Sequence, residues 1–259
     1  MLRETRLHRI LALIAVNGHI STERLIKELG ISRETARRDI IELENQGAAR
    51  RVHGGLVALD SSTSEPSLKE RRTRLEREKR AIARATVLQL QQGQTVFMDA
   101  GTTTTALAEE LCTMPGLTIV TNSLRAAIIL SERDEDKKND STVVLVGGRI
   151  LAGREQTCGE GVIEEIQRWR ADVAILSPVG LDAHHGASSF LPEEAAVARC
   201  MAQRASRLCI LADHTKLGVI SRINYASPRE ISMLITDAAA SDLPCLKELK
   251  EILPKVILA

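Results

Sequence analysis

Aromatic side chains are nearly absent: Phe97, Phe190, Trp169 and Tyr225 make up 2% of the 259 residues. The core is therefore aliphatic, and modules that stack unpaired bases on aromatic platforms are not expected. There is no excess of one charge either, with 35 lysines and arginines against 34 acids. That balance excludes a polybasic protein that binds nucleic acid by composition alone, so any basic patch must be local. No apolar run reaches the ~18 residues needed to span a bilayer. Met1 to Arg9 is charged and does not read as a signal peptide. Cysteine is sparse, with five residues, an odd number, and no Cys-x-x-Cys pair. Neither a disulfide framework nor structural zinc is expected, and a cytoplasmic location is.

What is present divides the chain. Asp60 to Ser67 is polar, Ser-rich and carries Pro66, the composition of a linker. Residues 1–59 are read as one domain, 60–68 as the linker and 69–259 as a second, larger domain. Glu132 to Ser141 is a charged run that reads as a solvated surface loop.

The first 59 residues carry a helical pattern. Leu7, Ile10, Leu11 and Ile14 mark one face of a first helix, and Leu25, Ile26 and Leu29 mark a second behind a Ser21 or Thr22 cap. Ser32 caps a third that runs to about Gln46, and Gly30 makes the turn before it. Ala49–Val52 and Leu56–Leu59 read as a hairpin around His53-Gly54-Gly55. Ala36, Ile40 and Leu43 form the buried stripe of the third helix, which leaves Glu34, Thr35, Arg37 and Arg38 pointing elsewhere. Three short helices with a tight turn match a helix-turn-helix, whose last helix enters the major groove, and a basic hairpin beside it is a wing. The segment carries ten lysines and arginines against seven acids, a net of +3. On the helical wheel alone, a helical bundle that binds a protein is the better reading.

Beyond the linker, Lys69–Gln92 reads as one long amphipathic helix, and strands then alternate with helices. The strands are placed at Thr95–Asp99, Leu117–Thr121, Thr142–Val146, Ala171–Ser177, Arg207–Asp213, Ile231–Thr236 and Lys255–Leu258. The helices are placed at Thr103–Thr113, Ser123–Ser131, Gly161–Trp169, Pro192–Ala205 and from Asp242. Continuous apolar strands between helices imply a doubly wound parallel sheet covered on both faces. Asp99-Ala100-Gly101-Thr102-Thr103-Thr104 lies where a strand gives way to a helix. Helix N–H groups, threonine hydroxyls and a glycine cradle a phosphate in such a place. Thr121-Asn122-Ser123 and Gly147-Gly148 follow the next two strands, although each loop taken singly reads as a turn with an ordinary cap. Glu194, Asp213 and Lys216 are carboxylates and an amine that can meet a sugar or its phosphate, although Asp213 and Lys216 taken alone read better as a surface ion pair. His184-His185 beside Asp182 lacks a full ligand set, so no metal is expected.

Ser32 to Ile40, Leu43-Glu44 and Arg50-Arg51-Val52-His53-Gly54-Gly55 together resemble the signature of the DeoR family of bacterial transcriptional regulators. Asp99–Thr103, Thr121–Ser123, Gly147-Gly148, Glu194–Met201 and Ala212–Gly218 resemble that family's effector domain. The resemblance implies a winged helix-turn-helix followed by an α/β effector domain similar to ribose-phosphate isomerases. It implies DNA contact by Ser32, Arg33, Thr35, Arg37, Arg38, Arg51 and His53. It further implies a phosphorylated sugar whose phosphate meets Gly101, Thr102, Thr103, Thr104 and Ser123. The sugar itself would face Asp99, Asn122, Glu194, Asp213 and Lys216. The expected protein is a non-enzymatic, effector-controlled repressor without a cofactor, acting as a homo-oligomer on operator DNA and not on a membrane. The rival is a sugar-phosphate isomerase with an appended DNA-binding domain, using Asp99, Asp182, Asp213 and Lys216 as acids and bases.

Overall fold

A computed structural model describes residues 3–17, 19–45, 48–52, 54–58, 68–132, 140–151 and 153–259. The chain forms two compact units, Met1–Pro66 and Ser67–Ala259. Most of the expected linker, residues 60–67, and most of the expected charged loop, residues 133–139, lie outside the described residues.

In the first unit, α1 (Arg3–Asn17) leads through β1 (His19–Ser21) into α2 (Thr22–Leu29) and α3 (Arg33–Asn45), followed by β2 (Ala49–Val52) and β3 (Gly55–Ala58). Ser21 Oγ accepts from the Arg24 amide at 3.2 Å and starts α2. Gly30, at φ 61°, turns the chain toward α3. The wing has three strands in the order β1-β3-β2, all antiparallel, where the pattern predicts two. Three residues are too few to display a strand period, so β1 escapes a reading by alternation. Its closeness explains a wing glycine: a Cβ at Gly55 would lie 2.1 Å from the Ile20 carbonyl oxygen. Ile10, Ile14, Ile20, Leu25, Ala36, Ile40, Leu43 and Leu56 make the core. Asp39 shares the buried stripe of α3, and Arg6 of α1 answers it, with Nε and Nη2 donating to the two carboxylate oxygens at 2.5 and 2.9 Å.

The second unit begins with α4 (Leu68–Thr73) and α5 (Glu76–Val87). The single helix expected over Lys69–Gln92 is thus two, broken at Leu75, which stands in the left-handed region at φ 55°. Lys79 supplies the reason the break holds: its ammonium donates to the carbonyls of Arg71 and Arg74 at the end of α4. Then come β4 (Thr95–Met98), α6 (Thr102–Leu111), β5 (Thr118–Thr121), α7 (Leu124–Ser131) and β6 (Thr142–Leu145). After β7 (Arg149–Ile150), β8 (Thr157–Cys158) and α8 (Glu160–Gln167), the chain forms β9 (Val173–Leu176), β10 (Gly180–Asp182), β11 (Gly186–Ser189), α9 (Pro192–Gln203) and β12 (Leu208–Leu211). It ends with β13 (Ile223–Ala226), β14 (Met233–Thr236), α10 (Pro244–Ile252) and β15 (Val256–Leu258).

Seven strands form one parallel sheet in the order β15-β14-β12-β9-β4-β5-β6, and all seven are strands the sequence pattern predicts. Alternate residues face opposite ways. Phe97, Val120, Ala174, Leu176, Ile210 and Leu234 pack with Val162 and Ile166 of α8, Val197 and Met201 of α9, and Leu246 and Leu249 of α10. Val96, Met98, Ile119, Ile175, Leu211 and Ile235 pack with Ile82 of α5, Leu107 and Leu111 of α6, and Leu130 of α7. The sheet is doubly wound. Two small antiparallel elements, β10-β11-β13 and β7-β8, go unseen in the sequence because Gly-Leu-Asp and Gly-Ala-Ser-Ser carry no alternating apolar pattern.

Replacing Asp39 with Ala leaves the partly buried Arg6 without its partner, which is expected to destabilise the first unit by about 1–3 kcal/mol. Urea unfolding of that unit followed by circular dichroism checks this. A loss well below ~1 kcal/mol would show that the pair does not hold α1 to α3.

Candidate functional site

Helix α3 presents one polar face. Ser32 Oγ accepts from the Thr35 amide at 3.2 Å and lies 2.9 Å from the Thr35 hydroxyl, so Ser32 is the cap of α3. Arg33, Arg37 and Arg38 are exposed, off the Ala36–Asp39–Ile40–Leu43 stripe. Arg38 Nε meets Glu34 at 3.3 Å, one turn back. Pairs this exposed contribute only ~0.3–0.5 kcal/mol, so the guanidinium is easily released to another acceptor. Arg51 lies on β2, where the backbone alone is described, and His53 lies outside the described residues. Three guanidinium groups on one exposed helix face suit phosphate oxygens and guanine edges.

The second site is the carboxyl rim of the parallel sheet. In chain order, β5 and β6 are added on one side of β4, and β9, β12, β14 and β15 on the other. The switch point therefore lies between β4 and β9, the place where open α/β sheets bind ligands. Asp99, just past β4, spans it: its Oδ2 accepts from the Ser177 amide, just past β9, at 2.9 Å. Its Oδ1 is buried with no hydrogen-bond partner among the described residues. Burial pushes the Asp99 carboxyl up to about 7, against the Ser177 amide, Lys216 and the Thr104 hydroxyl, with Glu194 adding to the rise.

Helix α6 starts at this rim behind Gly101, which has no side chain to cap it. The first amides of a helix lack intrahelical partners and carry partial positive charge. Thr103 Oγ1 is fully buried without a partner among the described residues. The Thr104 and Thr105 hydroxyls instead donate to the Gly101 carbonyl at 3.2 and 2.7 Å. Thr102 opens the helix at the surface edge of the loop. Gly101 itself is extended, so its backbone is unstrained. A Cβ there would lie 3.3 Å from Thr104 Oγ1 and 3.7 Å from Ser177 Cβ.

Lys216 Nζ donates to Ser177 Oγ at 2.9 Å, which brings it to the same switch point. Asp213 caps the turn His214–Lys216, accepting from the Thr215 amide and hydroxyl at 3.1 and 2.5 Å. Burial would raise its carboxyl, yet the Lys216 charge, the two Thr215 bonds and Lys79 outweigh it and hold Asp213 below the usual range. Lys79 is a site residue that the sequence reading misses. Burial pulls its amine down to about 8, and the Lys216 charge adds to the fall. The signal was available, since Lys79, Ile82, Ala83 and Thr86 form the buried stripe of α5 and a lysine on such a stripe needs partners.

Past β5, Asn122 Nδ2 donates to the Thr157 carbonyl at 3.0 Å, while Asn122 Oδ1 is buried without a partner among the described residues. Ser123 is occupied as the cap of α7, accepting from the Ala126 amide at 3.2 Å. Glu194 takes Gln156 Nε2 at 2.7 Å and Ser189 Oγ at 3.1 Å, and pairs with Arg154 at 3.4 Å. Arg154, Gln156 and Tyr225 are further residues no motif pointed to. Tyr225 is buried with its hydroxyl unpartnered, and burial, with Asp99 adding, raises it well above its ordinary value. Gly148 does not line an open loop, because a Cβ there would meet Val162 Cγ2 at 2.5 Å. Asp182 belongs to β10 and not to the rim. Burial would raise it, but the His185 side chain and the His184 and His185 amides pin and lower it.

Residues 75–238 match the family model described as the DeoR C terminal sensor domain, and residues 6–62 the one described as the DeoR-like helix-turn-helix domain. The chain is 34% identical over 245 residues to the HTH-type transcriptional repressor GlcR of Bacillus subtilis (strain 168), spanning 95% of this chain and 92% of that protein. It is 32% identical over 238 residues to the glycerol-3-phosphate regulon repressor of Escherichia coli (strain K12), spanning 92% of each. Among solved structures, ribose 5-phosphate isomerase A from Methanocaldococcus jannaschii is similar over 55% of this chain and 54% of that one, with 12% identity and a TM-score of 0.40.

The raised Asp99 carboxyl makes a pH prediction. Its contribution to stability is fully present below the ordinary value of 3.8 and is lost as pH rises through about 7. Asp99→Asn removes that dependence. The melting temperature of the parent should therefore fall, relative to the Asn variant, as the buffer is taken from about pH 4 to above pH 7. Parallel melting curves across that range would show that Asp99 is ionised well below neutrality.

Proposed function

Since the chain belongs to the DeoR family of transcriptional regulators, we propose that it controls operator occupancy in response to a phosphorylated sugar or a related metabolite. In this reading Arg33, Arg37 and Arg38 of α3 face the DNA, with Ser32 and Thr35 ordering the first turn and Arg51 and His53 of the wing assisting. The observation that supports a ligand at the sheet rim is a set of buried polar atoms without partners. Asp99 Oδ1, Thr103 Oγ1, Asn122 Oδ1 and the Tyr225 hydroxyl are all buried and unpaired among the described residues, whereas few buried polar atoms in folded proteins go unpaired. A polyhydroxylated anion satisfies them. Its phosphate takes the amides of Gly101–Thr104 and the Thr103 hydroxyl, with Lys216 adding charge, and its hydroxyls donate to Asp99 and Asn122. Ser123, Glu194 and Asp213 act one step back, as the cap of α7, the anchor of Arg154 and Gln156, and the partner of Lys216 and Lys79.

Sensing is favoured over turnover because most candidate acids and bases are engaged. Asp182 and Asp213 are held ionised, and Glu194 is paired with Arg154. The observation on the enzyme's side is Asp99, which titrates near neutrality. Assays on pentose and hexose phosphates separate the readings, and turnover would overturn this one. One recognition helix reads few base pairs, so the operator carries repeated half-sites and the chain binds as an even-numbered homo-oligomer. No helix among the described residues is long and apolar enough to cross a membrane.

Arg37→Ala or Arg38→Ala is expected to cost about 1–3 kcal/mol in operator binding while the fold survives, since both side chains are off the buried stripe. Unchanged affinity in both variants in a salt-controlled gel shift would reject α3 as the reader. For the sensor, the same gel shift is titrated with glucose 6-phosphate, fructose 1-phosphate, ribose 5-phosphate and glycerol 3-phosphate. Thr103→Val removes one hydroxyl and should weaken the response by about 1.5–3 kcal/mol if that group meets a phosphate. Gly101→Leu should abolish it while leaving ligand-free operator binding intact. A Gly101→Leu variant that responds like the parent would move the phosphate elsewhere.

A further inference from the structure

Two described residues other than glycine stand in the left-handed region, Leu75 at φ 55° and Glu155 at φ 51°. Such conformations persist only where the surroundings over-determine them. Both bear on α4. Leu75 is the joint between α4 and α5, and the Glu155 carboxylate pairs with Arg72 in the last turn of α4. Glu155 sits between two residues that hold one pocket carboxylate: Arg154 at 3.4 Å from Glu194, and Gln156 donating to it at 2.7 Å. The Glu155 carbonyl also accepts from the Leu124 amide at 3.0 Å, at the start of α7 and beside Asn122-Ser123. Three consecutive residues thus face two ways, Arg154 and Gln156 toward the sheet rim and Glu155 toward α4.

The carboxyl end of α4 has a second hold from the same rim. Lys79 donates to the carbonyls of Arg71 and Arg74 and lies under the charges of Lys216 and Asp213. Helix α4 is also the first described element after residues 59–67, through which the chain runs back to the DNA-binding unit.

We propose that the Glu155–Arg72 pair is the latch through which the occupied pocket repositions α4, so that Arg72, Glu155, Arg154 and Gln156 are the positioning residues of the effector response. The inference rests on the effector reading above. A ligand that takes up Asn122 Oδ1 loads the segment beside Glu155, since Asn122 bonds Thr157 and the Leu124 amide bonds the Glu155 carbonyl, and a strained left-handed residue there has another backbone state ready to take up the change. Both latch side chains are half exposed, and an exposed pair contributes little to stability, so its removal leaves the core intact.

The test uses the full chain and two readouts. The first is hydrogen exchange of the peptide spanning residues 68–74 without any ligand. Arg72→Ala and Glu155→Ala should each speed exchange there several-fold. Glu194→Gln should do so as well, acting through Arg154 and Gln156. Adding Glu194→Gln to Arg72→Ala should change nothing further, and the swapped pair Arg72→Glu with Glu155→Arg should restore protection. The second readout is operator affinity with the four sugar phosphates above. In Glu155→Ala the active probe should still raise the melting temperature, yet its effect on operator affinity should fall from the typical ~5–150-fold to about onefold. Unchanged exchange in Glu194→Gln, or a Glu155→Ala chain that responds like the parent, would overturn the latch. If no probe affects the parent, the effector reading fails instead, and the exchange experiment still decides whether the pocket reaches α4.

Discussion

The hydrogen bond from the Ser177 amide to Asp99 Oδ2 crosses the point where the sheet changes direction. Strand β4 is laid down first, and β9 joins it only after the chain has completed β5 and β6 on the other flank. The loops after β4 and β9 then diverge over opposite faces of the sheet and leave a crevice. Asp99 ties the two loops together, and the tie costs it solvent, which is why its carboxyl rises to about 7. Ser177 in turn receives Lys216, and Lys216 sits beside Asp213 and Lys79. One buried carboxylate thereby organises both the uncapped start of α6 and the cationic flank of the rim.

That arrangement separates the groups with hydrogen-bonding capacity left from the groups that support. Atoms without partners, such as Thr103 Oγ1 and Asn122 Oδ1, are the ones with capacity left for a ligand. Groups whose capacity is used, such as Ser123 at the α7 cap and Glu194 under Arg154 and Gln156, give the rim its shape. The DNA-facing unit follows the same logic. Arg6 and Asp39 spend their charges on each other and hold α1 against α3, while Arg33, Arg37 and Arg38, off the buried stripe, face outward.

The helix-turn-helix and the parallel sheet are legible in the sequence because their periods are strong. Ile10 and Ile14, or Ala36, Ile40 and Leu43, repeat at helical spacing, and Val173 to Leu176 is an unbroken apolar strand. The motif loops at Asp99–Thr104 and Asn122-Ser123 are legible because strand ends and helix starts need particular residues. Contacts made at long range between unpatterned segments are not. Arg154 and Gln156 reach Glu194 from a short irregular loop, and Tyr225 lies on a strand of a small sheet that shows no period. The break at Leu75 is hidden too, because its cause is Lys79, four residues on, turning back to α4. In both units a charge on a buried stripe, Asp39 in α3 and Lys79 in α5, is the clue that the sequence reading passes over.

The central claim is that one chain couples a sugar phosphate to operator DNA, and linkage tests it most directly. Titration calorimetry of the active sugar phosphate into the chain, alone and then saturated with operator DNA, measures the coupling from the ligand's side. Reciprocity requires the ligand's affinity to change by the same factor by which that ligand changes operator affinity, on the order of 5–150-fold. A sugar phosphate that binds equally tightly to the free and the DNA-bound chain would contradict the account.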